Sequence, residues 1–361
     1  MESEYNSKTN YAMKARYLIF STYSSNDASF RYRILPMVEL LRIHGYEVIV
    51  SSIFTESMYF RRNISRTHRF IVSLQLGCRL FLRILQVLSV RKSDVVVLHR
   101  EMFPFFLPYF EKMCIRKAKG SILDFDDALY AQPSGGKDWR ARLRNPENFK
   151  KVVASVDRVF VASPVLEAWA SQFNQRVLLR HTFPESREKI SIEQAPKRIV
   201  WIGSDSSFVH LGSKIELLEK VASRLDLQIF ILGGNKMLSY SWPERFYVEL
   251  WTKQREDLLL SEPFLGIMPL VDDKWSQGKG AFKIYQYMSV GMPVIASPLG
   301  MNTQLILESE CGLLANSDIE WEQNIEMLLK NLELFSALGS KGFEWISGKI
   351  AGRDILSDII Q

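Results

Sequence analysis

The sequence predicts an α/β protein made of two doubly wound, Rossmann-like domains. Three observations lead there. Short apolar runs alternate with amphipathic helical stretches along the chain, the pattern of parallel strands joined by crossover helices. A length of 361 residues suits two domains of ordinary size, each able to bury its own core. A polar, charged stretch from Pro184 to Lys197 interrupts the alternation near mid-chain, and the expected domains are residues 1–190 and 191–361.

The first domain opens with an apolar strand at Tyr17–Ser21 and a polar loop through Thr22, Ser24, Ser25 and Asn26. A helix from Tyr32 to His44 follows, stopped by Gly45, and then a strand at Glu47–Ile53. Strand, helix, strand with a loop at the first strand's carboxyl end is a Rossmann-like opening. No Gly-x-Gly-x-x-Gly is present, so a nicotinamide or flavin cofactor is not supported. Arg31 and Arg33 stand where loop meets helix and suit an anionic group. The next strand, Asp94–Leu98, runs into His99, Arg100 and Glu101, and Phe103–Lys117 is its helix. Arg31, Arg33 and Arg100 are candidate ligand-binding residues.

A strand at Ser121–Phe125 carries Asp124 and leads into Asp126 and Asp127. Three carboxylates this close raise one another's pKa unless they face a wet cleft, a cation or a ligand. Asp126 and Asp127 are read as functional groups facing a cleft, Asp124 as structural. An Asp-x-Asp after an apolar strand also occurs in haloacid-dehalogenase phosphatases, where Asp124 would be nucleophile and Asp126 acid, and in metal-dependent GT-A transferases. Pro133–Gly136 and the basic run Lys137, Arg140, Arg142 and Arg144 form a loop suited to folding over a diphosphate. Val159–Ala162 is a strand, and Pro164 starts the helix that runs to Phe173.

In the second domain a strand at Arg198–Ile202 feeds the small-residue loop Gly203–Ser207 and a helix at Leu211–Ala222. Such a loop can cradle phosphate. Leu227–Leu232 is a strand ending in Gly233 and Gly234, and Gly266–Leu270 another. After it comes the densest stretch in the chain, Gly278–Gly300. Gly278, Lys279 and Gly280 leave a turn before an apolar helical repeat at Phe282, Tyr285 and Met288, whose first N–H groups would face an anion. Lys279 and Lys283, four apart, are expected on one helical face. Gly291 and Pro293 end the helix, and Val294, Ile295 and Ala296 suit a buried parallel strand. The chain closes with helical segments at Phe335–Trp345 and Asp354–Ile360.

Composition bounds the function. Hydrophobic residues at 47% and charged ones at 24% are those of a globular protein. Cys78, Cys114 and Cys311 are odd in number and lack Cys-x-x-Cys or Cys/His spacing, so neither a disulfide framework nor a zinc site is suggested. A reducing cytoplasm is expected, since Met1–Asn10 lacks an apolar signal core and no apolar run reaches the ~18 residues of a membrane span. Residues 1–196 hold 30 Lys and Arg against 19 Asp and Glu, whereas 197–361 hold 16 against 21. Much of the excess falls between Ser57 and Ser93, where Arg61, Arg62, Arg66, Arg69, Arg79, Arg83, Arg91 and Lys92 occur with no acidic residue. The second half of that stretch, from Phe70 to Leu88, is helical in period and more apolar than a surface helix needs. It reads either as a peripheral contact with an anionic membrane or as a core helix with a solvated basic rim. Basic charge without an aromatic platform in a known fold argues against a nucleic-acid-binding module.

The run Tyr287-Met288-Ser289-Val290-Gly291-Met292-Pro293-Val294-Ile295-Ala296-Ser297 resembles the C-terminal signature of GT-B glycosyltransferases, particularly family 4. The resemblance extends through Gly300, Gly312 and the acidic, Trp-containing segment Asp318–Trp321, and more weakly over most of the chain. It implies two Rossmann-like domains facing each other across a cleft, acceptor in the first and nucleotide-sugar donor in the second, with Arg31, Arg33 and Arg100 as acceptor-binding residues and Asp126 and Asp127 as acceptor-side catalytic groups. The last helix would cross back onto the first domain. It also implies a hexosyl or related transferase, usually retaining, with no tightly bound cofactor or metal, acting on a saccharide or lipid-linked acceptor of the cell envelope. Lys279 and Lys283 would meet the donor diphosphate with Gly203, Ser204, Gly233, Gly278 and Gly280, while Val248 and Trp251 lie where the base packs. Family 4 carries Glu-x7-Glu for donor sugar and ribose. Here Gly278 stands at the first position and Gln286, still able to bridge a diol, at the second. The family's basic residue after the glycine-rich loop is absent as an Arg.

Overall fold

The structure is a computed structural model that describes residues 15–25, 27–55, 58, 66–103, 108–131, 145–351 and 355–360. Arg61, Arg62, the Pro133–Gly136 loop and Lys137, Arg140, Arg142 and Arg144 lie outside the described residues. Contacts divide the chain into two compact units, Met1–Asp124 with Lys151–Val159 and Ile355–Gln361, and Phe125–Lys150 with Phe160–Asp354.

The first half of the chain runs β1 (Arg16–Ser21), α1 (Leu35–Ile43), β2 (Glu47–Ser52), α2 (Arg66–Leu88), β3 (Val95–His99), α3 (Pro108–Lys117), β4 (Gly120–Phe125), α4 (Pro146–Val153), β5 (Arg158–Val161), α5 (Pro164–Ala170) and β6 (Val177–Leu179). Its six strands form one sheet in the order β2-β1-β3-β4-β5-β6. Val95, Val96 and Val97 pair in parallel with Tyr17, Leu18 and Ile19, all buried, as β-branched runs covered on both faces should be.

The second half runs β7 (Arg198–Ile202), α6 (Phe208–Gly212), α7 (Ile215–Leu225), β8 (Gln228–Gly233), α8 (Asn235–Leu238), β9 (Phe246–Leu250), α9 (Lys253–Leu259), β10 (Leu265–Met268), α10 (Lys274–Gln277), α11 (Phe282–Met288), β11 (Val294–Ala296), α12 (Met301–Ser309), β12 (Gly312–Leu314), α13 (Asp318–Lys330), α14 (Leu332–Ala351) and α15 (Ile355–Ile360). Its sheet is parallel, in the order β12-β11-β10-β7-β8-β9. The chain winds outward in one direction from β7 and in the other from β10, so the order reverses between them. Tyr287 ties this centre together: its hydroxyl, fully buried, lies 3.3 Å from Val200 O and 3.4 Å from Ile267 O. Gly266 makes room for its ring, which a Cβ there would meet at 2.4 Å. The acidic, Trp-containing segment is the start of α13, where Ser317 and Glu320 form a capping box and Trp321 is fully buried.

Several elements differ from the sequence reading. The helix expected over Tyr32–His44 begins instead as a π-helix at Phe30–Ile34, an over-wide turn that carries Arg33 inward. The helix expected over Leu211–Ala222 is two helices. Ser213 donates its hydroxyl to His210 O at 2.7 Å, a local bond that competes with helix continuation. Helix α11 begins only at Phe282, after Ala281 in the left-handed conformation (φ 54°), so Lys279 lies in the preceding turn rather than on a shared helical face with Lys283. Within the first unit, Arg158 donates to the carbonyls of Asp358 and Ile359 on α15, at 2.7 and 2.9 Å, and α15 packs on α1.

Helix α2 has two unlike faces. Arg83, with 1% exposure, donates to the carbonyls of Met102, Ser21 and Ser51 at 2.8–2.9 Å, while Val72 and Val87 are buried beside it. Burial pushes the Arg83 pKa down to about 10. The other face leaves Phe70, Leu74, Phe81, Leu82, Leu85 and Leu88 exposed. By length and composition alone, Phe70–Leu88 would also suffice to cross a membrane.

Candidate functional site

Ligands of doubly wound folds bind at the carboxyl ends of the strands, where strand order reverses. In the second unit that place lies between β7 and β10, and the loops leaving both carry the predicted donor residues. After β7, Gly203 lets the chain turn directly over the Trp201 indole, which a Cβ would meet at 2.3 Å. Ser204 then clusters with Ser206 and Ser207 through hydroxyl contacts of 2.8 and 3.3 Å. Asp205, which the sequence reading passed over, accepts the Lys236 N–H at 3.0 Å and so ties this loop to the one after β8.

After β10, Asp273 caps α10 by accepting the Ser276 N–H, and the chain turns at Gly278. The Gly278–Gly280 turn is seated against Ala128 and the start of α5, all within the second unit. Ser163, the N-cap of α5, donates its hydroxyl to Gly278 O at 2.9 Å. A Cβ on Gly278 would approach Ala128 Cβ to 2.8 Å and Leu166 Cδ2 to 3.0 Å, and one on Gly280 would reach Ala162 Cβ at 3.0 Å. A side chain at 278 would have to displace Ala128 or Leu166. Seated in this way, the Lys279 ammonium lies 3.8 Å from Asp127 Oδ1, both mostly shielded from solvent.

The Lys283 ammonium lies 5.2 Å from the centre of the Trp201 ring, a cation–π arrangement on the residue that underlies Gly203. Parts of the side chain remain accessible, but its charged end is enclosed. Enclosure, and then the Lys279 charge, push its pKa down to about 7, with Asp127 acting in the opposite sense. No ion pair to Lys283 is found among the described residues. The turn thus concentrates positive charge that an anion would complete.

His210, on α6, was not foreseen. It is 2% exposed, and its Nδ1 accepts the Val271 N–H at 3.2 Å. Burial, with the Lys279 and Lys283 charges adding to it, pushes its pKa down to about 3. A lone histidine eight residues past the end of β7 carries no sequence signal of this kind.

The remaining donor candidates occupy the same end of the sheet. Gly233 closes β8, Val248 lies half-buried in β9, and Trp251 donates its indole N–H to Glu256 Oε2 at 2.7 Å. Gln286 is buried on α11.

The acceptor candidates lie in the first unit. Arg33 is fully buried and makes two bonds to Asp124, at 2.7 and 2.9 Å. That geometry gives it a structural partner inside the fold instead of a ligand, and leaves Asp124 no access as a nucleophile. Arg31 turns back onto Ser25 O at 2.7 Å, and Arg100, with φ 57°, lies 3.6 Å from Asp27. At this unit's own reversal, between β1 and β3, buried His99 contacts the hydroxyls of Ser21 and Ser29, each at 2.9 Å. Asp126, which belongs to the second unit, is half-buried after β4. Among the described residues no group of three or more His, Cys, Asp or Glu is arranged to hold a metal.

Two parallel six-stranded sheets with helices are the architecture of the GT-B fold, and solved structures of that fold match this chain. Sucrose-phosphate synthase from Thermosynechococcus elongatus aligns with a TM-score of 0.57 at 13% identity, over 92% of this chain and 94% of its own. HepE of Anabaena, solved in complex with UDP, aligns at 0.56 and 11% identity, over 92% and 95%. TarM of S. aureus aligns at 0.56 and 16%, over 75% of this chain but 55% of its own, so this chain spans about half of TarM. No family model and no curated protein sequence matches.

Proposed function

We propose that this protein is a glycosyltransferase that moves a sugar from a nucleoside-diphosphate donor to an acceptor hydroxyl. The observation that carries the reading is the gathering of Lys279 and Lys283 with the Gly203–Ser207 loop at the reversal between β7 and β10. Breaking the bond between the anomeric carbon and the diphosphate sends the electron pair to a phosphate oxygen, while the sugar becomes oxocarbenium-like. Fixed ammonium groups there stabilise the developing charge without reorganisation, the largest single contribution in many enzymes. The acceptor oxygen then bonds to the anomeric carbon. In the retaining course implied by the family 4 resemblance, the departing phosphate oxygen takes the acceptor's proton. Asp126 and Asp127 serve the acceptor side, Asp127 also orienting Lys279. HepE's complex with UDP is in keeping with a nucleotide-sugar donor.

The acceptor is a saccharide or lipid-linked sugar of the cell envelope, and the protein works at the cytoplasmic membrane surface. Support comes from α2, whose exposed apolar face sits in a stretch with eight basic and no acidic residues between Ser57 and Ser93. The three bonds that hold Arg83 to backbone carbonyls favour a helix lying on the protein over one that spans a bilayer. A phosphatase mechanism through Asp124 is disfavoured by its enclosure with Arg33.

The test is a thermal-shift panel of nucleoside diphosphates and nucleotide sugars, followed by transfer assays with those that stabilise. At 100 Kd a ligand should add about 2.7 kcal/mol, several degrees of Tm. A panel with no stabilising member would remove the donor-site assignment.

A further inference from the structure

We infer that His210 is a donor-binding residue, a neutral imidazole whose Nε2–H hydrogen-bonds a phosphate oxygen of the nucleoside diphosphate beside Lys279 and Lys283. The inference rests on the glycosyltransferase reading. Its basis is a hydrogen bond that fixes the tautomer. A backbone N–H can only donate, so the Val271 N–H, 3.2 Å from Nδ1, requires that nitrogen to be the unprotonated one, and the ring proton sits on Nε2. Nε2 has no hydrogen-bond partner among the described residues and is not one of the wholly enclosed side-chain atoms left without one, so this otherwise buried ring keeps its Nε2 edge open. An N–H held in a fixed direction by the Val271 bond and left open at this edge is placed to meet an acceptor on a bound ligand.

Location says which kind. His210 follows β7 and Val271 follows β10, so the imidazole bridges the two loops between which the strand order reverses. The charges of Lys279 and Lys283 reach the ring, and with burial they keep it neutral. An acceptor bound beside two ammonium groups is anionic, and phosphate oxygen meets both demands. Neutrality is also useful. A third cation would repel Lys283, already held down to about 7, whereas an N–H donor adds direction without charge.

The experiment compares wild type with H210N and H210Q by calorimetry using UDP, GDP and ADP. Asparagine keeps an acceptor for the Val271 N–H near the Nδ1 position and removes the Nε2 donor. Glutamine places an amide N–H near Nε2. H210N should keep wild-type circular dichroism and bind the diphosphate about 10- to 100-fold more weakly, the range for a hydrogen bond to a charged group. H210Q should recover part of that loss. In wild type, the imidazole Nε2–H resonance should shift on adding the bound diphosphate, a readout that does not depend on either variant folding. Wild-type binding with an unmoved resonance, or with H210N equal to wild type, overturns the His210 role and leaves the glycosyltransferase reading standing. Wild type binding none of the three overturns both.

Discussion

At Lys283 an enclosed ammonium lies over the Trp201 ring with its pKa pushed down to about 7 from 10.5, and this makes two opposite predictions. Removing it as Lys283→Met should lower kcat by about 10²-fold or more and KM little, if the charge acts mainly on the leaving diphosphate. Stability should move the other way. Between about pH 7 and 10.5 the unfolded chain binds a proton that the folded one does not, so the wild-type contribution improves as pH rises across that window. Lys283→Met should therefore be more stable than wild type below pH 7, with the gain vanishing above 10.5. Urea denaturation at pH 6, 8 and 10 measures this, and a variant less stable than wild type at pH 6 contradicts the enclosure. Arg33 and Asp124 form the contrasting pair, both with no exposed side chain. Asp124→Asn strands a buried guanidinium and should cost about 3–5 kcal/mol in the same assay. An unperturbed midpoint would mean that the pair is not structural.

Elements decide where such residues can act. Helix α2 is held by Arg83 and by Gln86, which accepts the Ser51 hydroxyl at 2.7 Å, and these contacts define its inner face. Its outer face should bind vesicles containing anionic lipid, since burying exposed apolar side chains and attracting basic ones both favour the interface. Flotation should succeed with phosphatidylglycerol vesicles and weaken with salt. It should fall sharply in a variant with Leu74→Ser and Phe81→Ser, which leaves the inner face untouched. Flotation indifferent to salt and to that variant would remove the membrane reading. The Gly278–Gly280 turn is the second element of this kind, because Ala128, Ala162 and Leu166 leave no volume beside it.

For the molecule as a whole, the two doubly wound domains and most of their strands were legible from the sequence, because short apolar runs and helical apolar patterns follow directly from what each face must bury, whereas the strand order came from the structure. Valines at 95–97 and the Val294–Ala296 run read as parallel strands and are. The π-helix at Phe30–Ile34 and the break at Ser213 were illegible, since both arise from local hydrogen bonds and long-range pulls rather than from pattern. Whole-protein activity should survive a chelator such as EDTA, because the charge stabilisation assigned to Lys279 and Lys283 needs no cation. Loss of transfer on chelation, restored by Mg²⁺, would reassign Asp126 and Asp127 as metal ligands.

The sequence by itself determined most of the strands, though not β6, β9 or β12, together with the separation into basic and acidic halves and the lysine-bearing turn before a short apolar helix. These are properties of neighbouring residues, which periodicity, glycine placement and charge record directly. Only the tertiary structure decided which charges are spent. Arg33 looked available at a loop end, yet the wide π turn carries it into the core against Asp124, a residue 91 positions away. Lys279 and Lys283 looked like one helical face, but they stand on either side of a left-handed Ala281. His210 carried no signal at all until strand order placed it opposite Val271. Such partners are distant in sequence, and a pKa, a tautomer or an ion pair depends on what the fold brings within a few ångströms.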